Sequence, residues 1–422
     1  MLVCVPVVTL TASHYGSTGP ALGFGALLSA LWVLALRSAA GAVHFALGSV
    51  VRAAVGTVTG LVTVSALIVW LPGLSLPSST LAVMALSVFA LTALWEIACR
   101  RVTAKRRVLV VGAGPCASAV LDGVRAEPQT PFAVVGVVDD VVEEASSEGP
   151  PLLGPVSELA AIVRAQRPEL IVLAEGQSSI EALDRLLAAP SGRFKVVGLA
   201  HFFEHAFGRV PVEQLTPGWF MSILHLRQKP YTRFAKRTFD VIGASVGLIL
   251  AAPVMAVIAL LLRTTSGPVI YRQTRVGAGG KLFTMYKFRT MRVDAEEDGA
   301  LFAAKRDPRV TRLGRVLRTT HLDELPQLWD VLKGDMSIVG PRPERPEFAP
   351  MLEEAIPYFN RRLLIKPGVT GWAQLRADYS SDAEGAATKL SYDLWYLRHR
   401  NLLVDAAICA KTVTSVIFRP GR

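Results

Sequence analysis

Two neighbouring carboxylates, Asp323 and Glu324, stand in the run His321-Leu322-Asp323-Glu324-Leu325-Pro326-Gln327-Leu328, just ahead of KGDMSIVGPRPERPEF (333–348). Like charges side by side raise one pKa, while cations nearby lower both. Neighbouring helix positions point about 100° apart, so one carboxylate can face a substrate while the other orients it, takes a proton or shares a metal ion. Matching cations lie upstream, in YRQTRVGAGGKLFTMYKFRTM (271–291) and in Arg306, Arg309, Arg312, Arg315 and Arg318, which recur every third residue. Guanidinium forks suit phosphate oxygens. The arginine run reads equally as a solvated face or as a face for lipid headgroups.

These residues belong to a chain of 422 that is 51% hydrophobic and only 19% charged, which argues against a wholly soluble protein. Residues 1–36 carry no charge, and 43 uncharged residues separate Arg52 from Glu96. The net charge of +11 resides in 229–422, which has 30 basic against 19 acidic residues, and points to an anionic partner such as a phosphate or an acidic headgroup. Cys4, Cys99, Cys116 and Cys409 form no CxxC pair, so free thiols are expected rather than a zinc site or a disulfide framework. The first basic residue is Arg37, too late for the n-region of a cleaved signal, so the N-terminus reads as a retained anchor.

Three stretches, roughly 20–36, 54–71 and 80–99, are long enough or nearly so to cross a bilayer, whereas 1–10 is too short to count alone. Arg37 and Arg52, with Arg100, Arg101, Lys105, Arg106 and Arg107 after the last span, place those ends on the cytoplasmic side. From residue 107 the texture alternates between short β runs and helical stretches, which predicts a parallel, doubly wound α/β domain over 107–200. Its first turn carries Gly112 and Gly114 in a G-x-G-x-x-A pattern, and Asp139 closes the second strand. A bound nucleotide and a regulatory or scaffolding role both remain open there. His201, Glu204 and His205 match H-x-x-E-H, but the aromatic segment 201–228 is better read as a linker packing its Phe and Trp residues onto the sheet.

Residues 241–262 hold 22 uncharged positions with Pro253 in the middle. Lys236 and Arg237 precede them, and Arg263, Arg272 and Arg275 follow. Positive charge at both ends contradicts a simple crossing, and a proline bends a helix, so a re-entrant hairpin on the cytoplasmic face is expected.

Lys236-Arg237…Asp240, the Pro-centred apolar segment, RQTRVG, KFRTM, LDELPQL, KGDMSIVGPRPE, KPGVTGWAQ and YDLWYLRHRNLLVDAAICAKT together resemble the monotopic polyprenyl-phosphate phosphoglycosyl transferases. The resemblance covers about 229–422. The rest is similar to the longer members, with membrane helices in 1–100 and a Rossmann-like domain ahead of a mainly helical, monotopic catalytic part. RPERPEF suggests the exopolysaccharide branch. The resemblance implies that Asp323 attacks a UDP-sugar, releasing UMP, with Glu324 as its partner. It further implies that Lys287, Arg289, Arg318 and Arg342 bind phosphates or nucleotide, and that undecaprenyl phosphate accepts the sugar phosphate. Asp323 and Glu324 would share Mg²⁺. The implied place is the cytoplasmic face of the bacterial inner membrane, in contact with the lipid bilayer and with no nucleic acid as partner; a homodimer is left open.

The chain departs from that family in having Ala252-Pro253 where Ser-Pro is usual, Gly385 where an acidic residue is more usual, and one N-terminal helix fewer than four. A nucleotide-sugar oxidoreductase is a different class, but none of the eight tyrosines has lysine four positions on. A membrane scaffold would leave Asp323 and Glu324 without a reason.

Overall fold

The computed structural model describes residues 4–15, 23, 25–33, single positions and short runs between 53 and 65, 77–102, 105–112, 114–127, 130–140, 151–174, 182–186, 194–226, 230–295, 307–377 and 383–418. It is a mixed α/β protein, mostly helical, that divides into two compact units, Met1–Gly208 and Arg209–Arg422.

The first unit opens with α1 (Cys4–Tyr15) and α2 (Ser78–Val102). The stretch Ser78–Trp95 is long and apolar enough to cross a membrane, which matches the expected third span. The other two expected spans fall largely outside the described residues, although 25–33 is helical. The first ten residues are too short to count alone as a span; residues 4–10 belong to α1, which continues to Tyr15. Val7 is buried with Leu28, Trp32, Val64, Met84 and Val88, so four stretches of chain meet in one apolar cluster. A Cβ at Gly60 would overlap the Trp32 ring, so only glycine lets that backbone approach.

The strands β1 (Arg106–Val111), β2 (Phe132–Val138), β3 (Leu170–Leu173) and β4 (Lys195–Gly198) make an all-parallel sheet in the order β2-β1-β3-β4. It is covered by α3 (Pro115–Ala126), α4 (Leu159–Gln166) and α5 (Leu199–Ala206). Side chains alternate across a strand, and the two faces of β1 show it. Val108 and Val110 pack with Val120 of α3 and Phe202 of α5, whereas Leu109 and Val111 pack with Leu159 and Ile162 of α4. The doubly wound expectation holds.

The stretch expected to be a linker is folded. Phe202, Phe203 and Phe207 complete one face of the sheet, as foreseen, because α5 turns them inward. Trp219 does otherwise. It belongs to α6 (Pro217–Leu226) in the second unit, where Arg398 lies 5.7 Å over its ring, Phe220 meets Tyr358 at 4.6 Å, and Val210 N–H donates to Ser391.

The second unit is built on α7 (Pro230–Arg263), which runs as helix through Pro253. A hairpin follows, β5 (Ile270–Val276) against β6 (Leu282–Phe288), then α8 (Arg312–Thr320) and α9 (Gln327–Lys333). The parallel pair β7 (Ser337–Val339) and β8 (Gly368–Thr370) flanks α10 (Ala349–Ala355), and α11 (Trp372–Arg376), α12 (Ala383–His399) and α13 (Leu402–Phe418) close the unit.

Polar side chains pin α7 to this body. Asp240 is buried and accepts from Ser337 Oγ and Ile338 N–H, while Lys236 reaches Asp240 at 3.2 Å and Asp405 at 2.7 Å. Tyr396 Oη donates to Asp405 as well. Arg237 donates to the carbonyls of Val331 and Leu332, and so caps α9. The two basic residues that signalled a membrane flank therefore face protein, because each finds acceptors there that compensate for its burial.

A protein that starts at Arg209 should keep a folded second unit, whereas one that starts at Lys229 strips the cover from Tyr358, Ser391 and Arg398. Losing Trp219 alone is worth on the order of 3–5 kcal/mol. Melting curves of the two truncations should differ by several degrees, and coincident curves would refute the assignment of 209–226 to this unit.

Candidate active site

Asp323 and Glu324 lie in a single 3₁₀ turn, Leu322–Glu324, wedged between α8 and α9. His321 ends α8 in the left-handed conformation at φ 57°, its N–H returning to Arg318 O. Pro326 then starts α9, since a proline needs no amide partner at a helix start. Consecutive side chains of a 3₁₀ turn diverge by about 120°, so the two acids face different ways. Asp323 is buried at 7% exposure.

Glu324 Oε1 is the meeting point of the site. Lys287 Nζ of β6 donates to it at 2.7 Å, and Arg342 Nη2, from the loop after β7, donates at 2.8 Å. Burial pushes the Glu324 carboxyl up, but Arg342 and Lys287 outweigh burial and hold it well below the usual carboxylate range. Burial raises Asp323 instead, with Lys287 pulling the other way and Glu324 adding to the rise. One acid of the pair is thus clamped as an anion and the other is held with a raised pKa. Arg318 contributes its charge to Asp323 from α8 and donates Nε to Thr290 Oγ1 at 2.9 Å. Three cations against two carboxylates leave an excess of one positive charge, a field suited to a phosphate anion.

A second ring of groups holds the Pro341-Arg342-Pro343-Glu344 loop. Gly340 N–H donates to Thr370 O, and Gly368 N–H to Pro341 O, each at 2.9 Å. Arg275 Nη1 donates to Pro343 O at 2.9 Å. Arg362, buried at 4% exposure, donates to Arg342 O and Glu344 Oε1 and pairs with Asp393 at 2.8 Å. The guanidinium fork of Arg362 thereby fixes the backbone from which Arg342 reaches Glu324. Neither Arg362 nor Asp393 was among the expected site residues. The available signal was a lone acid in the aromatic run Ser391-Tyr392-Asp393-Leu394-Trp395-Tyr396, since a charge is rarely buried there without a partner.

Other expected residues stand elsewhere. Arg289 turns from Glu324 to Ser266 O and Thr265 Oγ1 at the end of α7. Arg309 forks onto Asp307, with Nη2 at 2.6 Å from Oδ2, and this hydrogen bonding lowers the Asp307 pKa to about 2. The arginine run is therefore no single face: Arg309 is an internal staple, Arg318 serves the site, Arg312 and Arg315 are exposed, and Arg306 lies outside the described residues. Pro253 sits within α7, remote in sequence from these groups.

In the first unit, Gly112 and Gly114 have φ of 103° and 74°. A Cβ on Gly112 would come within 2.9 Å of Ala174 Cβ, so that glycine serves strand packing, whereas Gly114 faces open space. Asp139 is buried at the end of β2 and accepts the Asp140 N–H. His205 Nδ1 meets His201 O, and among the described residues no group of three His, Cys, Asp or Glu side chains forms a metal cluster.

Residues 231–419 match the bacterial sugar transferase family, and residues 31–191 match a CoA-binding domain family. The UDP-N-acetylgalactosamine-undecaprenyl-phosphate N-acetylgalactosaminephosphotransferase of Aeromonas hydrophila is 39% identical over 50% of this chain and 49% of its own length. The chain thus spans about half of that relative. A Bacillus subtilis (strain 168) protein, provisionally named an undecaprenyl-phosphate N-acetylgalactosaminyl 1-phosphate transferase, is 51% identical over 36% of this chain and 80% of its own length. The UDP-glucose:undecaprenyl-phosphate glucose-1-phosphate transferase of Klebsiella pneumoniae is 32% identical over 73% of this chain and 67% of its own length. With the family matched over 231–419, and with relatives 51% and 32% identical covered over 80% and 67% of their length, the chain belongs to the bacterial sugar transferase family.

Proposed function

We propose that this chain transfers a hexose 1-phosphate from a UDP-sugar to undecaprenyl phosphate through a phosphosugar carried on Asp323, releasing UMP, as the initiating membrane step of exopolysaccharide or related glycan synthesis. The observation that carries the reading is the convergence of Lys287 and Arg342 on Glu324, one residue from the buried Asp323. The relatives' names differ in the sugar, N-acetylgalactosamine in two and glucose in the third, so the sugar is left open.

In this reading an Asp323 carboxylate oxygen attacks the β-phosphorus. The bond from that phosphorus to the oxygen shared with the α-phosphate breaks, and UMP leaves with the bridging oxygen. An oxygen of the lipid phosphate then attacks the same phosphorus, and the bond to Asp323 breaks, which restores the carboxylate. Glu324 holds Lys287 and Arg342 where the phosphate oxygens arrive, so their charge needs no reorganisation during the step. Mg²⁺ sites use one or two carboxylates plus substrate phosphates, and the Asp323 oxygens with Oε2 of Glu324 fit that donor set. When bound, the ion would neutralise diphosphate charge. In the first unit, the open space at Gly114 suits a nucleotide phosphate.

The acceptor is anchored in lipid, so the chemistry belongs at a membrane surface. A re-entrant α7 on the cytoplasmic face of the bacterial inner membrane meets that need, and its packing supports it. Ala244 clusters with Met285, while Ile258 and Leu262 cluster with Phe288 of the same strand. In this reading α7 bends near Pro253, and the exposed Ile249, Leu250 and Val257 face lipid.

Asp323→Asn should abolish turnover with little loss of stability, and intact-protein mass spectrometry should find a phosphosugar adduct on the wild type alone. Turnover by the Asn variant would sink the nucleophile assignment. Arg342→Ala should slow turnover at least about tenfold, the worth of one charge-assisted contact. Arg309→Ala should instead lower the melting temperature and spare the rate per folded molecule, because its partner is Asp307; equal kinetic losses at both would contradict this division. For topology, Thr238→Cys and Thr264→Cys in an otherwise cysteine-free chain should both resist a membrane-impermeant maleimide in intact cells. Labelling of the second alone would make α7 a full crossing.

A further inference from the structure

A cavity of about 450 Å³ opens at the C-terminal end of α7. That volume falls within the range of about 300–1,000 Å³ that small-molecule sites occupy. Arg289 forms its wall by strapping the backbone of Ser266, a position made accessible by Gly267 at φ 105°. The guanidinium of Arg289 is spent on that strap, but those of Arg292 and Arg312 also border the cavity and are exposed. Among the described residues Arg292 pairs with Asp294 at a long, solvent-exposed 4.0 Å, and the first turn of α8 carries no acid to offset Arg312. None of the lining side chains is acidic. The apolar part of the lining is Met291 and Leu313 over the buried Leu262, and Leu260 and Leu261 beside it in sequence are exposed. One side of the cavity therefore offers guanidinium forks and the other hydrocarbon.

The cavity also adjoins the chemistry. Thr290, between the lining residues Arg289 and Met291, accepts Arg318 Nε on its hydroxyl and the Thr311 N–H on its carbonyl. Arg318 is the same side chain whose charge acts on Asp323. A ligand held at Arg292 and Arg312 would thus sit across one wall from the phosphosugar.

We propose that this cavity is the entry site of the lipid acceptor, binding its phosphate monoester through Arg292 and Arg312 and the first part of its hydrocarbon chain on Leu262, Met291 and Leu313. The acceptor role rests on the transferase reading above, whereas the cavity's affinity for a hydrocarbon-borne phosphate monoester does not. A phosphate monoester carries up to two charges at neutral pH and presents three oxygens to two forks, which distinguishes it from the single charge of a diester headgroup.

The test uses the full chain, free of native cysteines, carrying Leu313→Cys and reconstituted in phosphatidylcholine vesicles. Undecaprenyl phosphate should slow maleimide modification of that cysteine, and the same mole fraction of phosphatidylglycerol should not. Adding Arg292→Gln and Arg312→Gln should raise the concentration for half-protection about tenfold. Absence of protection, equal protection by phosphatidylglycerol, or an unchanged half-point in the double variant would each overturn the proposal. Adduct formation from UDP-sugar in the same preparation separates the two readings. An adduct without protection leaves the transferase standing and removes the cavity; protection without an adduct does the reverse.

Discussion

A single carboxylate oxygen, Oε1 of Glu324, gathers parts of the chain that are otherwise far apart. Lys287 comes from 37 residues before it and Arg342 from 18 after it. Two buried or half-buried cations so close to each other repel, and only an anion between them makes the arrangement stable. Glu324 supplies that anion. Its low pKa follows from the same contacts, so the clamp stays charged over the physiological range. The β5–β6 hairpin, the 3₁₀ turn and the loop after β7 are therefore held in register by electrostatics at their tips and by apolar packing beneath.

Such a clamp works only if its supports cannot drift. Arg342 swings from a loop, and loops move unless their carbonyls and amides are engaged. Here Arg275 and Arg362 take two successive stretches of that loop by its carbonyls, and Asp393 neutralises Arg362 in turn. Burial raises the Asp393 pKa to about 6 against the pull of Arg362, which marks how dry this layer is. The inner groups around Glu324 thus keep one positive charge in excess, whereas in the outer layer Arg275 and Arg362 are balanced by Glu344 and Asp393.

The parts that were legible in the sequence are those whose partners are local or periodic. The doubly wound sheet announces itself by alternation, and β1 buries both faces as its unbroken apolar run implies. Asp323 and Glu324 stand out as adjacent carboxylates between cations, whereas Lys287 and Arg342 are named by the family resemblance, because their meeting at Glu324 spans 37 and 18 residues. Arg289 illustrates the opposite case. It lies two residues from Lys287, and continued strand periodicity would aim both at one side, but β6 ends at Phe288 and the chain turns away. Arg309 was misjudged because the acid that takes it, Asp307, is only two residues off and was outweighed by the regular spacing of the arginines. The Arg362–Asp393 pair joins residues whose proximity arises only after α12 folds back, so no local pattern reports it.

The lock on α7 has a consequence for how the protein is made. Lys236 and Asp240 can pair with each other as soon as their helix forms, but Ser337 follows Asp240 by 97 residues and Asp405 by 165. At a synthesis rate of about 5–20 residues per second, Asp405 emerges some 8–33 s after Asp240. Through that interval the apolar length of α7 has no folded body to rest on. Its first host must be lipid or a chaperone, and the catalytic unit is assembled onto a helix that has already found one.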